Sequence, residues 1–258
     1  MSQPASAAPA TRPFELVYSD GVPLETDWHT LQLPFLRELI RQAMAEQGRA
    51  DFFVGVNTFV YYSVEQAREV ANEVNGNLPE RAFRGPDVFW VSGIDPDRDR
   101  KVWIAWEEDE RLPDVIFEFL SPKTAKKDRT EKRDLYSQVF GTPEYYMYDP
   151  RTGEFEGLSL AGRSYRPMRP DPTARTTRFW SEQLGVYLGL WHGAVEGKTA
   201  DWVRLYHPDG SLVPTRADAA EGRAEAEHRR AEAERQRAET LAAEVARLRA
   251  QFEGHSRG

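Results

Sequence analysis

The sequence contains no cysteine, which excludes disulfide bonds and thiolate metal sites. It has no apolar run approaching the roughly 20 residues that cross a bilayer, so no membrane partner is expected. The first 13 residues, MSQPASAAPATRP, lack a basic region followed by an apolar stretch, and we expect no signal peptide. These absences together predict a protein of the reducing cytoplasm.

Positive charge is also in short supply, because 34 Lys and Arg residues face 42 Asp and Glu residues, a net charge of −8. An acidic chain is not an obvious nucleic-acid binder. One segment, from Lys123 to Arg133, reverses the balance with six basic and two acidic residues, a local net charge of +4. The segment is therefore either a phosphate-binding surface or a solvated loop with incidental lysines.

The residues that are present favour an α/β domain around a mixed central sheet. Helical spacing of apolar residues predicts a helix over 28–48, and a second helix is predicted over 130–141 with Thr130 as its N-cap. Apolar and β-branched runs predict strands over 51–63, 86–93, 102–108, 112–121 and 144–149. A β-hairpin is predicted over 153–168, turning at Ala161 and Gly162.

Composition divides the chain into four parts. We expect a disordered N-terminus over 1–12, a globular domain over 13–215, a long helix over 216–253 and a disordered tail over 254–258. Near the end of the long helix, apolar residues recur at spacings of four, three and four: Leu241, Val245, Leu248 and Phe252. This spacing favours a coiled coil that makes a homodimer, and the alternative is a solvated single helix held by Glu–Arg pairs.

Two carboxylates interrupt apolar strand patterns. In VIFEFLS, alternation puts Glu118 on one strand face with Ile116 and Leu120, and Asp87 begins the apolar run DVFWV. Burying a lone carboxylate costs several kcal/mol unless something neutralises it. Two such acids beside a Lys- and Arg-rich segment suggest a divalent metal site open to solvent at the sheet edge and a phosphate substrate, whereas a structural salt bridge is the alternative.

Helical spacing selects one lysine of the basic segment. Lys132 shares a stripe with Tyr136, Val139 and Phe140, so it is expected to reach over the sheet toward Glu118. The alternative is a surface lysine that keeps its ammonium in water. Gln32 and Glu38 on the first helix could add a contact to metal or water. His29 is interpreted as a cap or surface residue.

Four sequence runs carry a resemblance to a known family: PDVFWV, LPDVIFEFLSPKT, DRTEKRDLY and GTPEYYMYDP. Together they resemble the restriction endonuclease family of the Uma type, in the PD-(D/E)XK nuclease superfamily, over roughly Asp27 to Val213. The resemblance implies a restriction-endonuclease-like mixed sheet flanked by helices, with added β-hairpins. It also implies hydrolysis of phosphodiester bonds in DNA with Mg²⁺, for which Mn²⁺ substitutes, and by position it makes Asp87 and Glu118 the metal ligands.

The sequence departs from the superfamily motif at Leu120, where that motif has lysine. We therefore predict that Lys132 is the catalytic lysine, with Lys123 and Lys126 as alternatives. The residues expected to hold the DNA backbone are Lys123, Lys126, Lys127 and Arg129. The competing hypothesis is a nuclease-fold protein that no longer cuts, and instead binds nucleic acid or assembles through its coiled coil.

Overall fold

A computed structural model of the chain describes residues 16–18, 26–76 and 83–255, with side chains through residue 242. It divides into two compact units, one ending at Val213 and the other beginning at Pro214. The predicted disordered N-terminus, residues 1–12, and the last three residues lie outside the described part.

Helix α1 spans Asp27–Glu46. Its N-cap is Thr26, whose side-chain oxygen accepts a hydrogen bond from the His29 backbone N–H. Its apolar stripe is fully buried, which explains why this segment is helical: Leu33, Leu36, Ile40 and Met44. A second helix, α2, spans Val64–Asn75 and is capped by Ser63. The long predicted helix over 28–48 is therefore confirmed apart from its ends.

The strands in chain order are β1 Phe52–Val56, β2 Val60–Tyr61, β3 Val88–Ser92, β4 Trp103–Ile104, β5 Val115–Phe119, β6 Glu144–Asp149, β7 Glu154–Ala161, β8 Ser164–Pro167, β9 Arg178–Ser181, β10 Val186–Val195 and β11 Lys198–Tyr206. Six of them form the central sheet in the order β1-β3-β5-β6-β7-β8. The β5–β6 pair is parallel and its neighbours are antiparallel, so the sheet is mixed as predicted. Strands β9, β10 and β11 form a separate antiparallel sheet.

Two of the predicted strands are wrong in part. The run 51–63 is two strands, because Asn57 takes a positive φ of 44° after β1. The run 102–108 contains only the short strand β4, and a 3₁₀ turn follows over Ala105–Glu107. The predicted hairpin is present as β7 and β8, and Gly162 supplies its left-handed turn with φ 66°.

The central sheet separates two apolar layers. Alternation in β5 sends Val115, Phe117 and Phe119 into the layer that contains α1 and the three-stranded sheet. It sends Ile116, with Leu120 just beyond the strand, into the opposite layer. That layer is covered by a helical segment over 125–140, which connects β5 to β6 and is called the site helix below. Glu118 therefore lies under the site helix, on the face that the sequence pattern predicted.

The C-terminal helix spans Arg216–His255, so residues 254 and 255, predicted as tail, are helical. Its described surface carries ion pairs four residues apart, including Arg229 with Glu225 and Arg235 with Glu239. Leu241 is 61% exposed, and the side chains of the other stripe residues lie outside the described part. Among the described residues, every helix is too short or too polar to cross a membrane.

Candidate active site

Asp87 and Glu118 lie across from each other on neighbouring strands. The antiparallel register of β3 and β5 pairs Val88 with Phe117, and extending it by one residue pairs Asp87 with Glu118. Asp87 Oδ2 accepts a hydrogen bond of 2.7 Å from the Phe119 backbone N–H. The Asp87 side chain thus pairs with a backbone donor of β5 at the point where the backbone pairing of β3 with β5 ends. The two acids are thus on one sheet face. They sit over interior strands rather than at the sheet edge that the sequence predicted.

Glu118 is 1% exposed, which contradicts the expectation of an open carboxylate. Its Oε1 accepts a hydrogen bond of 2.6 Å from the Tyr136 hydroxyl, and its Oε2 accepts one of 2.9 Å from Lys132 Nζ. Burial raises the pKa of Glu118 to about 8, because the opposing effect of Lys132 is smaller and Asp87 and Asp128 add like charge. Burial also raises the pKa of the Asp87 carboxyl group.

The site helix begins at Ala125, earlier than predicted, after a turn that follows β5. Ser121 Oγ accepts the Thr124 N–H at 3.1 Å, and Thr124 Oγ1 accepts the Ser121 N–H at 3.3 Å. This reciprocal pair has the form of a capping box, and it closes the turn that leads into Ala125, the first residue of the helix. Thr130, the predicted N-cap, is inside the helix and donates its hydroxyl to the Lys126 carbonyl at 2.7 Å.

The geometry of the site helix aligns three polar side chains. The segment alternates α turns with two π-helical turns, Asp128–Lys132 and Tyr136–Phe140. Asp128, Lys132 and Tyr136 are spaced by four residues, so their side chains share one helix face, and the contacts of Lys132 and Tyr136 direct that face at Glu118 on the sheet. Val139, predicted for the same stripe, is instead 54% exposed.

Lys132 bridges two buried carboxylates. Its Nζ lies 2.9 Å from Glu118 Oε2 and 2.8 Å from Asp128 Oδ1, and the lysine side chain is 15% exposed. Burial opposes its charge, but the nearby carboxylates raise the pKa of Lys132 above its usual value, so the ammonium stays charged. We call Asp87, Glu118, Asp128 and Lys132 the carboxylate–lysine cluster. It sets three carboxylates against one ammonium.

Sequence reasoning missed Asp128 as a member of the cluster. The residue is 1% exposed and lies in the first half of the site helix. The D-x-x-x-K spacing, which sets an aspartate four residues before Lys132, was the available signal. The spacing contributed to the family resemblance through the run DRTEKRDLY, but it did not assign Asp128 to the site, because the predicted helix began at Thr130 and left Asp128 in a loop.

His29 joins α1 to the same strand end. Of its two predicted roles, surface residue is wrong, whereas its contacts with the N-cap residue Thr26 agree with a place in the helix cap. The residue is 6% exposed, and its ring Nε2 lies 3.2 Å from the Phe119 carbonyl oxygen. A carbonyl only accepts hydrogen bonds, so Nε2 carries the hydrogen, and Nδ1 lies 2.8 Å from the Thr26 hydroxyl. The contact joins residues 90 positions apart, which local pattern cannot detect.

Gln32 and Glu38 do not take the part proposed for them. The Gln32 amide exchanges hydrogen bonds of 2.8 and 3.2 Å with the backbone of Val203 on β11. It therefore ties α1 to the three-stranded sheet. Glu38 lies nine residues beyond His29 on α1, roughly 13 Å along the helix axis. We therefore remove both residues from the candidate site.

The predicted DNA-contacting residues differ in their surroundings. Lys123 and Lys126 are exposed, and Lys127 is half-buried. Arg129 instead pairs with Glu154, at 2.8 Å, and with Glu156, both on β7. Its guanidinium therefore ties the site helix to the sheet, which removes it from the group we expect at a phosphate. Leu120, where the superfamily motif has lysine, is buried in the core.

Within the described ranges, no set of three or more His, Cys, Asp and Glu side chains is arranged to hold a metal ion. Asp87 and Glu118 supply oxygen ligands of the kind that Mg²⁺ accepts from proteins, together with water and phosphate oxygens. Burial is the main cause of the raised pKa of Asp87 and of Glu118, so a cation bound beside them would favour their ionised forms. The residues therefore fit a divalent cation that completes its coordination with water and substrate.

A mixed sheet that carries paired acids beneath a lysine-bearing helix defines a restriction-endonuclease-like α/β fold. The family model Uma2, described as "Putative restriction endonuclease", matches residues 10–195, and the chain belongs to this family. A comparison with curated proteins gives no match. The matched range contains the whole carboxylate–lysine cluster, and it excludes the C-terminal helix.

Proposed function

We propose that the protein is a metal-dependent endonuclease that hydrolyses phosphodiester bonds in DNA, with Mg²⁺ as its ion and Mn²⁺ as a substitute. The observation that supports this most directly is the pairing of Asp87 and Glu118 on one sheet face, with the Lys132 ammonium 2.9 Å from Glu118. Membership of a family described as a restriction endonuclease supports the reaction class.

In this proposal Asp87, Glu118 and Lys132 of the cluster, together with Tyr136, have defined tasks. Asp87 and Glu118 would hold the ion, and Tyr136 keeps Glu118 in one orientation through its 2.6 Å hydrogen bond. A bound divalent ion would supply positive charge at the phosphate and lower the pKa of water. Lys132, whose ammonium remains charged, would donate a hydrogen bond to a phosphate oxygen or orient the attacking water.

The DNA backbone would contact the exposed lysines near the start of the site helix, Lys123 and Lys126, with Lys127 behind them. Lysine acts on phosphate as a mobile point charge, so these contacts would add affinity without sequence preference. The acidic remainder of the chain would limit non-specific binding. A homodimer formed through the C-terminal helix would bring two such sites to the two strands of one duplex.

One observation favours the second candidate, a nuclease-fold protein that binds nucleic acid without cutting. Both carboxylate oxygens of Glu118 already accept hydrogen bonds from the protein, so the acid is satisfied without a metal. The two candidates differ in whether Mg²⁺ or Mn²⁺ binds with Asp87 and Glu118 as ligands.

The test is cleavage of supercoiled and linear duplex DNA with Mg²⁺, Mn²⁺ or EDTA, alongside calorimetric titration of the protein with Mn²⁺. We expect cleavage that EDTA abolishes, and we expect Asp87→Asn to lose both cleavage and Mn²⁺ binding. Asn keeps an oxygen for the Phe119 N–H, so the fold should persist. Asp134→Asn, at an exposed site-helix position, is the matched control. Duplex binding without cleavage or Mn²⁺ uptake would favour the second candidate instead.

A further inference from the structure

We infer that Asp128 is a positioning residue, whose carboxylate holds the Lys132 ammonium in the orientation that phosphodiester hydrolysis requires. The inference rests on the proposed function and assigns a role to a residue that this function leaves without one. Asp128 is 1% exposed, and its Oδ1 lies 2.8 Å from Lys132 Nζ. Within the part of the chain that is described, this oxygen has no other close polar partner.

The backbone of Asp128 is fixed from two sides. Its N–H donates to the Thr124 carbonyl at 2.9 Å, within the capped first turns of the site helix. Its carbonyl accepts a hydrogen bond of 3.1 Å from the buried Tyr145 hydroxyl on β6. The carboxylate thus extends from an anchored point, and a group that is itself held in place can orient its neighbour.

Lysine needs such an anchor because its four-carbon side chain is flexible and loses rotamer freedom when its ammonium is held in one place. An ammonium has three N–H donors. Glu118 Oε2 and Asp128 Oδ1 hold the nitrogen from two directions, at 2.9 and 2.8 Å. One donor is thereby given to Glu118 Oε2, while Asp128 Oδ1 attracts the ammonium as its ion-pair partner. Donor capacity remains on the ammonium for a phosphate oxygen or a water molecule.

Geometry on the helix explains why the anchor is Asp128. Asp128 and Lys132 are separated by four residues across a π-helical turn, so both side chains leave the helix on the side that faces Glu118. An acid four residues before a lysine is the favoured order for a helical ion pair. The exposed acids of the same helix, Glu131 and Asp134, lie off this line.

The first experiment measures the steady-state cleavage of duplex DNA by the full chain. We expect Asp128→Asn to lower kcat by roughly 10- to 100-fold, as for residues that orient metal-site ligands. KM, and duplex affinity in Ca²⁺, should stay within about twofold of wild type, because binding contacts are unchanged. Asp128→Glu, which keeps the charge, should recover part of the loss. Asp134→Asn is the matched control and should match wild type.

A double-mutant cycle tests whether Asp128 acts through Lys132. In the Lys132→Gln background, Asp128→Asn should cause no further loss of kcat. Equal losses in both backgrounds would overturn the inference, as would an unchanged kcat in the single variant. Thermal unfolding of each variant shows whether the chain is folded.

A second readout does not depend on cleavage. Competitive acylation of lysines, followed by mass spectrometry, compares the labelling of Lys132 with that of exposed Lys126. Lys132 should be protected in wild type and in Asp134→Asn, and labelled at least several-fold faster in Asp128→Asn. If wild type cleaves no DNA, the proposed function fails while this result still tests the anchor. Equal labelling of Lys132 in wild type and Asp128→Asn overturns the inference whether or not the protein cuts DNA.

Discussion

Lys132 follows Glu118 by 14 residues in the chain, yet its ammonium lies 2.9 Å from that carboxylate. The superfamily motif would set the lysine two residues after Glu118, at the position of Leu120 just beyond the strand, which is buried here. The helix that crosses from β5 to β6 carries the lysine instead. The Lys132 ammonium therefore contacts Glu118 from the helix above the sheet, whereas Asp87 faces Glu118 from the neighbouring strand.

Replacing Glu118 by Gln should separate activity from stability. Gln keeps the shape and a hydrogen-bond acceptor, but it removes a buried charge that the surroundings already disfavour. We expect cleavage to fall by roughly 100-fold or more, while the free energy of unfolding at pH 8 stays equal or rises by up to about 2 kcal/mol. Plasmid cleavage and denaturant unfolding check this. Glu131→Gln, on the exposed side of the site helix, is the control, and full cleavage by Glu118→Gln would remove Glu118 from the site.

Glu118 should also make the stability of the metal-free protein depend on pH. Its pKa rises on folding from 4.5 to about 8, so the folded chain binds this proton more tightly than the unfolded chain. The resulting stabilisation is full below pH 4.5 and is lost as the pH rises through about 8. The melting temperature of wild type, relative to Glu118→Gln, should therefore fall between pH 5 and pH 9 in EDTA. A difference that grows with pH would mean that Lys132 stabilises the ionised acid more than burial opposes it.

Replacing Lys132 by Ala should lower both the cleavage activity and the free energy of unfolding. The change leaves Glu118 and Asp128 buried without their shared cation, and breaking a buried ion pair costs about 3–5 kcal/mol. Turnover should fall by roughly 100-fold or more, with a smaller change in DNA affinity measured in Ca²⁺. Lys126→Ala is the control and should weaken binding without lowering turnover at saturating DNA. If Lys132→Ala lost only DNA affinity and kept its turnover, Lys132 would be a contact to the DNA backbone and not a catalytic residue.

The C-terminal helix should control the oligomeric state of the full chain. We expect wild type to be a dimer at micromolar concentration, and the double variant Leu241→Glu, Leu248→Glu to be a monomer, because it charges the apolar stripe. Light scattering measures the mass of each. Gln236→Glu, a helix position off the stripe, should remain dimeric. Identical monomeric masses for all three would leave a single helix held by its own ion pairs as the better interpretation.

Local pattern was sufficient where the structure follows local rules. Alternation in β5 correctly predicted that Glu118 shares a face with Ile116, because a period of two is fixed by the pleat of a strand. Helical spacing correctly predicted that Lys132 faces inward. The helix start was wrong because Ser121 and Thr124 cap each other, and that reciprocal pair was not considered.

Contacts between distant residues were beyond such rules. Arg129 looked available to DNA, but its partners Glu154 and Glu156 lie on a strand that packs beside it only in the folded chain. His29 meets the Phe119 carbonyl across 90 residues, through the packing of α1 against the sheet. Neither contact leaves a periodic trace in the sequence, so only the tertiary structure reveals them.

The π-helical turns of the site helix constrain how related sequences can diverge. A π turn holds one more residue than the α turn it replaces, so deleting a single residue between Asp128 and Lys132 would restore ordinary winding. Asp128 and Lys132 would then be three residues apart, a spacing that still shares a helix face but changes the angle between their side chains. Substitutions at exposed positions such as Lys123, Lys126 or Glu131 carry no such penalty. Over this stretch, the number of residues is therefore more constrained than the identity of the exposed ones.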